Sequence, residues 1–524
     1  MAGDWSSDVC SSDLKKQKFR RSVLEIKEFI RGSGVLLSIA SLPSPYGIGT
    51  LGREAYEFVD LLVDLKQKYW QVLPVGPTGY GDSPYQPISG CAGNIYFIDL
   101  DRLVDEGLLE RSEILEYNWG TDKSEVDYEK IYYGRRSILQ KAFERFDTNA
   151  QDFRKFKEKH SEWLGDYALF MALKTDNLDK KWTEWPDEYK NLQPVALANY
   201  RKQNYNSISF WEFCQFKFFE QWYKLREYAN SKGIRIIGDI AFLMGFDSVD
   251  VWAQRQNYLI CANDKPKCVA AAVPDKYSDK VQVWGNPIYD WNNMAKDDFA
   301  WWRMRIRVNK ELFDIVRINH FAGMVKIYTV PYDKKKAATS GKWIKGPGKK
   351  LINAIKEELD GDLAMVDDYT SAGLLPGVKK LLNKTGWIGT KVLMFAFDGD
   401  PTNEHLPHNY TDNHVAAYIG THDNETIVGS FRDKTEYELA YLYEYLNIDR
   451  KAQIPNALIR LLYQSTADVA IVQMQDILEL GSEARMNYPS TVGKNWRWRL
   501  TEEEALLDEN KRAWIRNLAA VYRR

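Results

Sequence analysis

Ionisable and amide side chains stand at the ends of several short apolar runs in this chain of 524 residues. Carboxylates and histidines are the residue types that most often transfer protons in enzymes. One such acid can equally cap the helix that follows it. The occurrence of such residues at the ends of several runs nevertheless favours a shared functional site. The residues are Asp239; Arg317, Asn319 and His320; Asp367 and Asp368; and Thr421, His422, Asp423 and Asn424.

The apolar runs form a series of eight that are rich in β-branched residues and separated by helical stretches. This alternation predicts an α/β fold, a (β/α)8 TIM barrel, whose catalytic side chains gather at the C-terminal strand ends. Arg317 and Asn319 lie two residues apart and are therefore expected to face the barrel mouth together. The predicted strands are Ser33–Ile39, Tyr69–Val75, Ile234–Phe242, Ile315–Phe321, Leu363–Tyr369, Thr390–Phe397, Ala416–His422 and Val469–Leu478.

The stretch between the second and third predicted strands, about 160 residues, is too long for an ordinary βα loop. It predicts a mostly helical subdomain at about 95–208, inserted into a single catalytic-type domain at 15–524. Tyr128–Phe146 and Ser209–Tyr228 are the clearest helices of this region. Residues 1–14 are rich in Ser and Asp without any period, and are expected to be an artefactual or disordered leader.

Composition narrows the classes of partner. Lys and Arg number 71 against 73 Asp and Glu, a formal charge of −2, which predicts neither a nucleic-acid nor an anionic-membrane partner. No run approaches the roughly 20 apolar residues needed to span a bilayer. The five cysteines show no C-x-x-C spacing and indicate a reducing, cytoplasmic compartment. His405, His408 and His414 match no common zinc spacing, so no metal or cofactor is expected.

Several motifs, in one order along the chain, resemble those of the amylomaltases, 4-α-glucanotransferases of the α-amylase clan. The resemblance extends from about Gly32 to Leu500. The motifs are Gly34–Leu37 with Ser41–Gly49, Gly81–Gln86, Ala92–Asn94, Ile237–Ile240, Trp284–Pro287, Lys345–Gly348, Leu406–Tyr410 and Gly420–Asn424.

The resemblance implies retaining transglycosylation between α-1,4-glucans and maltooligosaccharides. A carboxylate at the end of strand four attacks the anomeric carbon, and a carboxylic acid at the end of strand five protonates the leaving oxygen. The resemblance gives Asp423 the role of holding the distorted sugar. The implied substrate-binding residues are Tyr85, Asp239, Trp284, Asn286, Arg317, His320 and His422.

Two positions depart from the family pattern. The family reads R-I-D-H-F on strand four, whereas this chain has Asn319 in place of the nucleophilic aspartate. On strand five the family's A-E-D-L-G is replaced by Val366–Thr370 without a glutamate; one count of residues places Asp368 at the acid/base position and another places Tyr369 there. We select Asp368. The sequence leaves open a transferase of doubtful activity and a silent glucan-binding paralogue.

Overall fold

The computed structural model describes residues 29–79, 81–273, 281–333, 341–369, 374–489 and 491–524. The prediction for 1–14 therefore lies outside the described residues. Eight parallel strands pair in chain order, which confirms the predicted barrel. They are β1 (Gly32–Leu36), β2 (Tyr69–Val72), β3 (Arg235–Ile240), β4 (Ile315–Ile318), β5 (Ala364–Val366), β6 (Gly389–Val392), β7 (Val415–Tyr418) and β8 (Val469–Gln473).

The barrel closes between β5 and β6. Met365 forms a parallel bridge with Ile388, the residue that precedes β6, and the Val366 amide donates to the Ile388 carbonyl at 2.9 Å. Side chains from alternate strand positions fill the interior, as the two-residue period of a strand requires. This interior cluster consists of Leu36, Tyr69, Ile237, Ile315, Met365, Ile388, Val392, Ala416, Tyr418, Val469 and Ile471.

All eight predicted strands run too far at their C-terminal ends, and two of them, Ile234–Phe242 and Leu363–Tyr369, also begin one residue too early. The run Ile315–Phe321, for example, ends as a strand at Ile318, and a 3-10 helix occupies Phe321–Met324. Phe321 is nevertheless fully buried. Apolar sequence continues into the loops at the barrel mouth because these loops are buried too. Composition alone does not distinguish a buried strand from the buried loop that follows it.

Helices occupy most of the connection between β2 and β3. Two of them, Tyr128–Glu144 and Tyr205–Ser231, are close to the predicted helices. A further helix, Arg53–Asp64, joins β1 to β2. The treatment of 95–208 as a subdomain of its own stays a prediction. The other helices between β2 and β3 are Leu100–Asp105, Arg111–Leu115, Gln151–Lys159, Leu164–Asp176, Asp187–Lys190 and Pro194–Gln203.

The remaining helices cover the barrel or line its mouth. Within the described residues, no helix is long and apolar enough to cross a membrane. The helices that cover the barrel or line its mouth are Val249–Ala253, Trp291–Met294, Ala300–Leu312, Lys349–Leu359, Leu375–Leu382, Ile427–Phe431, Glu436–Leu446, Ile454–Gln464, Met474–Ile477, Glu502–Leu506 and Glu509–Val521.

A second, antiparallel sheet of four strands was not expected from the sequence. Its strands are Gln282–Pro287, Cys268–Ala272, Lys326–Pro331 and Lys342–Lys345, in that spatial order. Gly285 adopts a positive φ of 86° and Pro287 ends the first strand, which obscures the strand pattern in the sequence. This sheet carries Trp284 and Asn286.

Candidate active site

Strand alternation selects which side chains enter the barrel mouth. Ile237, Ile315 and Met365 belong to the interior cluster, so residues two positions further along face inward as well. These residues are Asp239, Arg317 and Asp367. All three are buried, with exposed fractions of 1%, 0% and 6%. The strand ends therefore bring two carboxyl groups and one guanidinium together.

Arg317 lies between the two acids. Its Nη1 donates to Asp239 Oδ2 at 2.5 Å, and its Nη2 lies 3.5 Å from Asp367 Oδ2. Burial raises the pKa of Asp239, and the Arg317 charge opposes this. Arg317 stays charged, so its positive charge offsets the negative charge of the two buried carboxyl groups in a region that excludes water.

Tyr85 joins this group to the end of β7. Its hydroxyl donates to Asp239 Oδ2 at 2.8 Å and lies 3.1 Å from His422 Nδ1. The Tyr85 and His422 rings stack at 4.4 Å. On the other side of the ring, His422 Nε2 lies 3.5 Å from Asp423 Oδ2. The imidazole therefore bridges Tyr85 and Asp423.

Asp423 is the most accessible acid of the site, with 46% of its side chain exposed. Asn487 Nδ2 donates to its Oδ1 at 2.6 Å, and Arg485 Nη2 donates to its backbone carbonyl at 2.9 Å. Neither Asn487 nor Arg485 is predicted from the sequence. Both lie in an irregular segment about 60 residues from Asp423 along the chain, and no local pattern relates them to it.

Asn319 contacts Asp367 directly. Its Nδ2 donates to Asp367 Oδ2 at 3.2 Å, and the His320 amide approaches the same oxygen at 3.4 Å. Burial raises the pKa of Asp367 to about 7, while the Arg317 charge acts in the opposite direction. A carboxyl group with this pKa exchanges its proton near neutral pH, as a general acid and base must.

Asp368, the residue selected from the sequence for the acid/base position, lies in a different environment from Asp367. It follows Val366 on the outward face, and its Oδ1 accepts the Thr390 amide proton at 2.6 Å. Burial raises its pKa as well. Asp367, by contrast, contacts Arg317 and Asn319 at the barrel mouth. The geometry thus favours Asp367 over Asp368, because adjacent strand residues point to opposite sides.

Tyr369, the other residue considered for this position, packs its ring against Phe395 at 5.5 Å. Burial and the nearby Asp367 charge raise the pKa of its phenol well above the usual value. A phenol with a raised pKa is a weak acid that gives up its proton poorly near neutral pH. Tyr369 is therefore placed as a side wall of the site.

The small sheet and the loop after β4 form another wall. The Trp284 ring meets the His320 ring edge-on at 5.0 Å, and His320 has a left-handed backbone with φ of 54°. Burial lowers the pKa of His320 to about 4, so its ring is neutral. Asn286 Nδ2 donates to the Met244 carbonyl at 2.9 Å, and Gln86 Nε2 donates to Asn286 Oδ1 at 3.1 Å.

The site thus consists of a central acid, a buried arginine and a set of aromatic and amide groups that suit a polar, uncharged ligand. Comparisons with known proteins agree with this chemistry. The 4-alpha-glucanotransferase family model matches residues 37–505. The 4-alpha-glucanotransferase of Streptococcus pneumoniae is 44% identical over 507 residues, which cover 94% of this chain and 97% of that protein. This chain belongs to the 4-alpha-glucanotransferase family.

Two further matches, one to a sequence and one to a solved structure, agree with this family assignment. The 4-alpha-glucanotransferase of Clostridium butyricum is 43% identical and covers 88% of this chain and 95% of its own length. The solved structure of amylomaltase from Streptococcus agalactiae in complex with acarbose matches with a TM-score of 0.89 at 38% identity, over 94% of this chain and 99% of that chain. The resemblance to amylomaltases is confirmed.

Proposed function

We propose that this chain transfers segments of α-1,4-glucans, such as maltooligosaccharides and starch chains, from one glucan to another with retention of configuration. Family membership supports the reaction class. The structural observation that carries the proposal is the buried Asp367 carboxyl group beside position 319 at the barrel mouth. Uncharged glucans are the proposed partners, and the cysteine pattern supports a cytoplasmic compartment.

In this proposal Asp367 is the acid and base. The side chain at position 319 forms a bond to the anomeric carbon and is later displaced by the hydroxyl of the incoming glucan. As this bond forms, the Asp367 carboxyl group gives a proton to the glycosidic oxygen, whose bond to the anomeric carbon breaks. It later accepts a proton from the hydroxyl of the incoming glucan. The pKa of about 7 suits both steps, because each protonation state is well populated near neutral pH.

The neighbouring residues would bind and orient the donor sugar. Asp423, held by Asn487, would accept hydrogen bonds from sugar hydroxyls. Tyr85 and His422 would present a stacked aromatic surface, and Trp284 a second one. Flat rings with polar edges are well suited to sugar faces and hydroxyls. Arg317 would keep its ion pairs with the acids while the substrate binds.

Asn319 determines how fast the first step proceeds. A neutral amide supplies no negative charge to the oxocarbenium-like transition state and forms no ordinary ester with it. The loss relative to an aspartate is expected to be on the order of 10⁴- to 10⁶-fold. We therefore expect slow disproportionation in the chain as it stands.

The first test is incubation of the pure protein with maltotriose, followed by chromatography of the products. A transferase gives glucose and a ladder of longer oligosaccharides. Asn319→Asp should raise the rate with an activated donor, an α-glucosyl fluoride, by on the order of 10⁴-fold. Asn319→Gln, which keeps the amide, is the matched control and should not raise it. No ladder from the Asn319→Asp variant would contradict the proposed function.

Asn319 also favours a second candidate, a glucan-binding protein without turnover. Calorimetry with maltoheptaose distinguishes this candidate from a site that has lost its ligand. Saturable binding by a protein that makes no ladder at high enzyme concentration supports the second candidate. Absence of binding at millimolar ligand would contradict both.

A further inference from the structure

One helix of the β7–β8 connection carries three tyrosines at intervals of four residues. The helix is Glu436–Leu446, and the residues are Tyr437, Tyr441 and Tyr445. Side chains four apart lie on the same helix face. Tyr437 is 91% exposed, and the other two are partly exposed. We call these three residues the tyrosine stripe.

The folding of this helix does not require the stripe. Leu439 and Leu442, on the opposite side, are each only 2% exposed and belong to the core. The helix packs against Ile454–Gln464, and Thr435 and Glu438 form a capping box at its start. The ring of Tyr437, with an exposed fraction of 91%, is therefore available to contact a ligand, as aromatic rings at binding surfaces do.

One end of the stripe contacts the segment that follows β6. Tyr441 and Tyr445 lie 6.2 Å apart, and Tyr445 meets Phe397 at 5.6 Å. Phe397 follows β6 on the same connection as Phe395, whose ring contacts Tyr369 beside the central acid. His408 also fixes the Tyr445 hydroxyl through its Nδ1 at 2.9 Å. Ring contacts thus connect Tyr441 and Tyr445 to the segment that follows β6.

The charge of the helix restricts the class of ligand. Its eleven residues include Glu436, Glu438 and Glu444 and no basic residue. This acidity disfavours nucleic acid and anionic lipid surfaces. A neutral polysaccharide lacks that repulsion, and its sugar faces stack on exposed aromatic rings.

We propose that the tyrosine stripe is an accessory binding surface for a long α-1,4-glucan chain, distinct from the catalytic groove and in contact with the segment that follows β6. This inference rests on the proposed function for its ligand class. The stripe would hold the part of a long chain that extends beyond the barrel mouth. Short oligosaccharides, which end within the groove, would not reach it.

The test compares a long and a short glucan. Tyr437→Ser/Tyr441→Ser should bind soluble amylose about tenfold more weakly than the unmodified protein in an affinity-gel assay, because two exposed stacking contacts are removed. Maltotriose binding, measured by calorimetry, should stay within about twofold. Tyr205→Ser is the matched control, since Tyr205 is 55% exposed on the inserted helices. It should leave both affinities unchanged.

Three outcomes would overturn the inference, and they separate it from the proposed function. Unchanged amylose affinity in the double variant, with maltotriose binding intact, would overturn the stripe alone. Equal weakening for amylose and maltotriose would place the effect in the groove. Concentration-dependent dimerisation that the double variant abolishes would show the stripe to be a contact between two copies of the chain. Stripe-dependent amylose binding by a protein that does not bind maltotriose would support the inference and contradict the proposed function.

Discussion

Asp367 and Asp368 are adjacent carboxyl groups in two different environments. Each is 6% exposed, and burial raises the pKa of each. Asp367 faces the barrel mouth, where it meets Arg317 and Asn319. Asp368 faces the outer layer, where it accepts the Thr390 amide proton. Residue type and burial are thus shared, and only the side of the strand decides which acid can reach a substrate.

The largest expected effect comes from replacing each acid in the Asn319→Asp background. Asp367→Asn should lower maltotriose transfer by about 10²- to 10⁴-fold, the usual contribution of a general acid. Asp368→Asn keeps an oxygen for the Thr390 amide and should lower the rate by no more than about threefold. Product chromatography measures both rates. The opposite ranking would return the acid/base role to Asp368.

Lengthening the two side chains sharpens the comparison further. Asp367→Glu in the same background should raise maltotriose transfer by up to about 10²-fold, because the longer side chain reaches the glycosidic oxygen more easily. Asp368→Glu should not raise it. With an α-glucosyl fluoride, whose leaving group scarcely needs protonation, Asp367→Glu should give a much smaller gain. An equal gain for both donors would indicate that the distance from the carboxyl group to the glycosidic oxygen does not limit the rate of transfer.

A third expectation concerns pH. The pKa of Asp367 is about 7 in the fold and about 4 when unfolded. The folded chain thus binds more protons between these values, and its stability falls as pH rises from about 4 to about 7. Asp367→Asn should reduce this fall, measured by urea unfolding at pH 5 and pH 8. In the Asn319→Asp background the added carboxylate raises the pKa of Asp367 further, so acid-dependent transfer should decline at a pH above about 7.

Asp476 provides the control for the pH experiment, because burial raises its pKa to about 7 as well. It accepts the Ile427 amide proton at 2.8 Å away from the central acid. Asp476→Asn should reduce the stability slope without removing the decline of transfer above pH 7. Loss of that decline in Asp476→Asn, rather than in Asp367→Asn, would contradict the assignment.

The smallest effect is expected on stability at the outward position. Asp368→Ala leaves the buried Thr390 amide without its acceptor and should lower the free energy of unfolding by about 1–3 kcal/mol. Its pH profile for transfer should match that of the parent. Calorimetric unfolding and the rate profile together check this. A shifted profile would mean that Asp368 acts on the chemistry after all.

The sequence by itself determined the barrel, the order of its strands and the family. Eight β-branched runs and their helices are local patterns, and they fix the fold class because each strand and helix is read from its own residues. The positions of Arg317, His422 and Asp423 also follow from strand ends. The sequence also predicts that Arg317 and Asn319 face the same side, because side chains two residues apart on a strand do so.

Tertiary structure decided which of Asp367 and Asp368 faces the barrel mouth. Strand β5 has only three residues, and two aspartates follow it. A run this short does not show which of its positions face inward. Pairing with β4, in which Arg317 lies beside Met365, fixes that choice. The Asn487 contact to Asp423 and the sheet carrying Trp284 join segments distant in sequence, and such contacts depend on the complete fold rather than on local pattern.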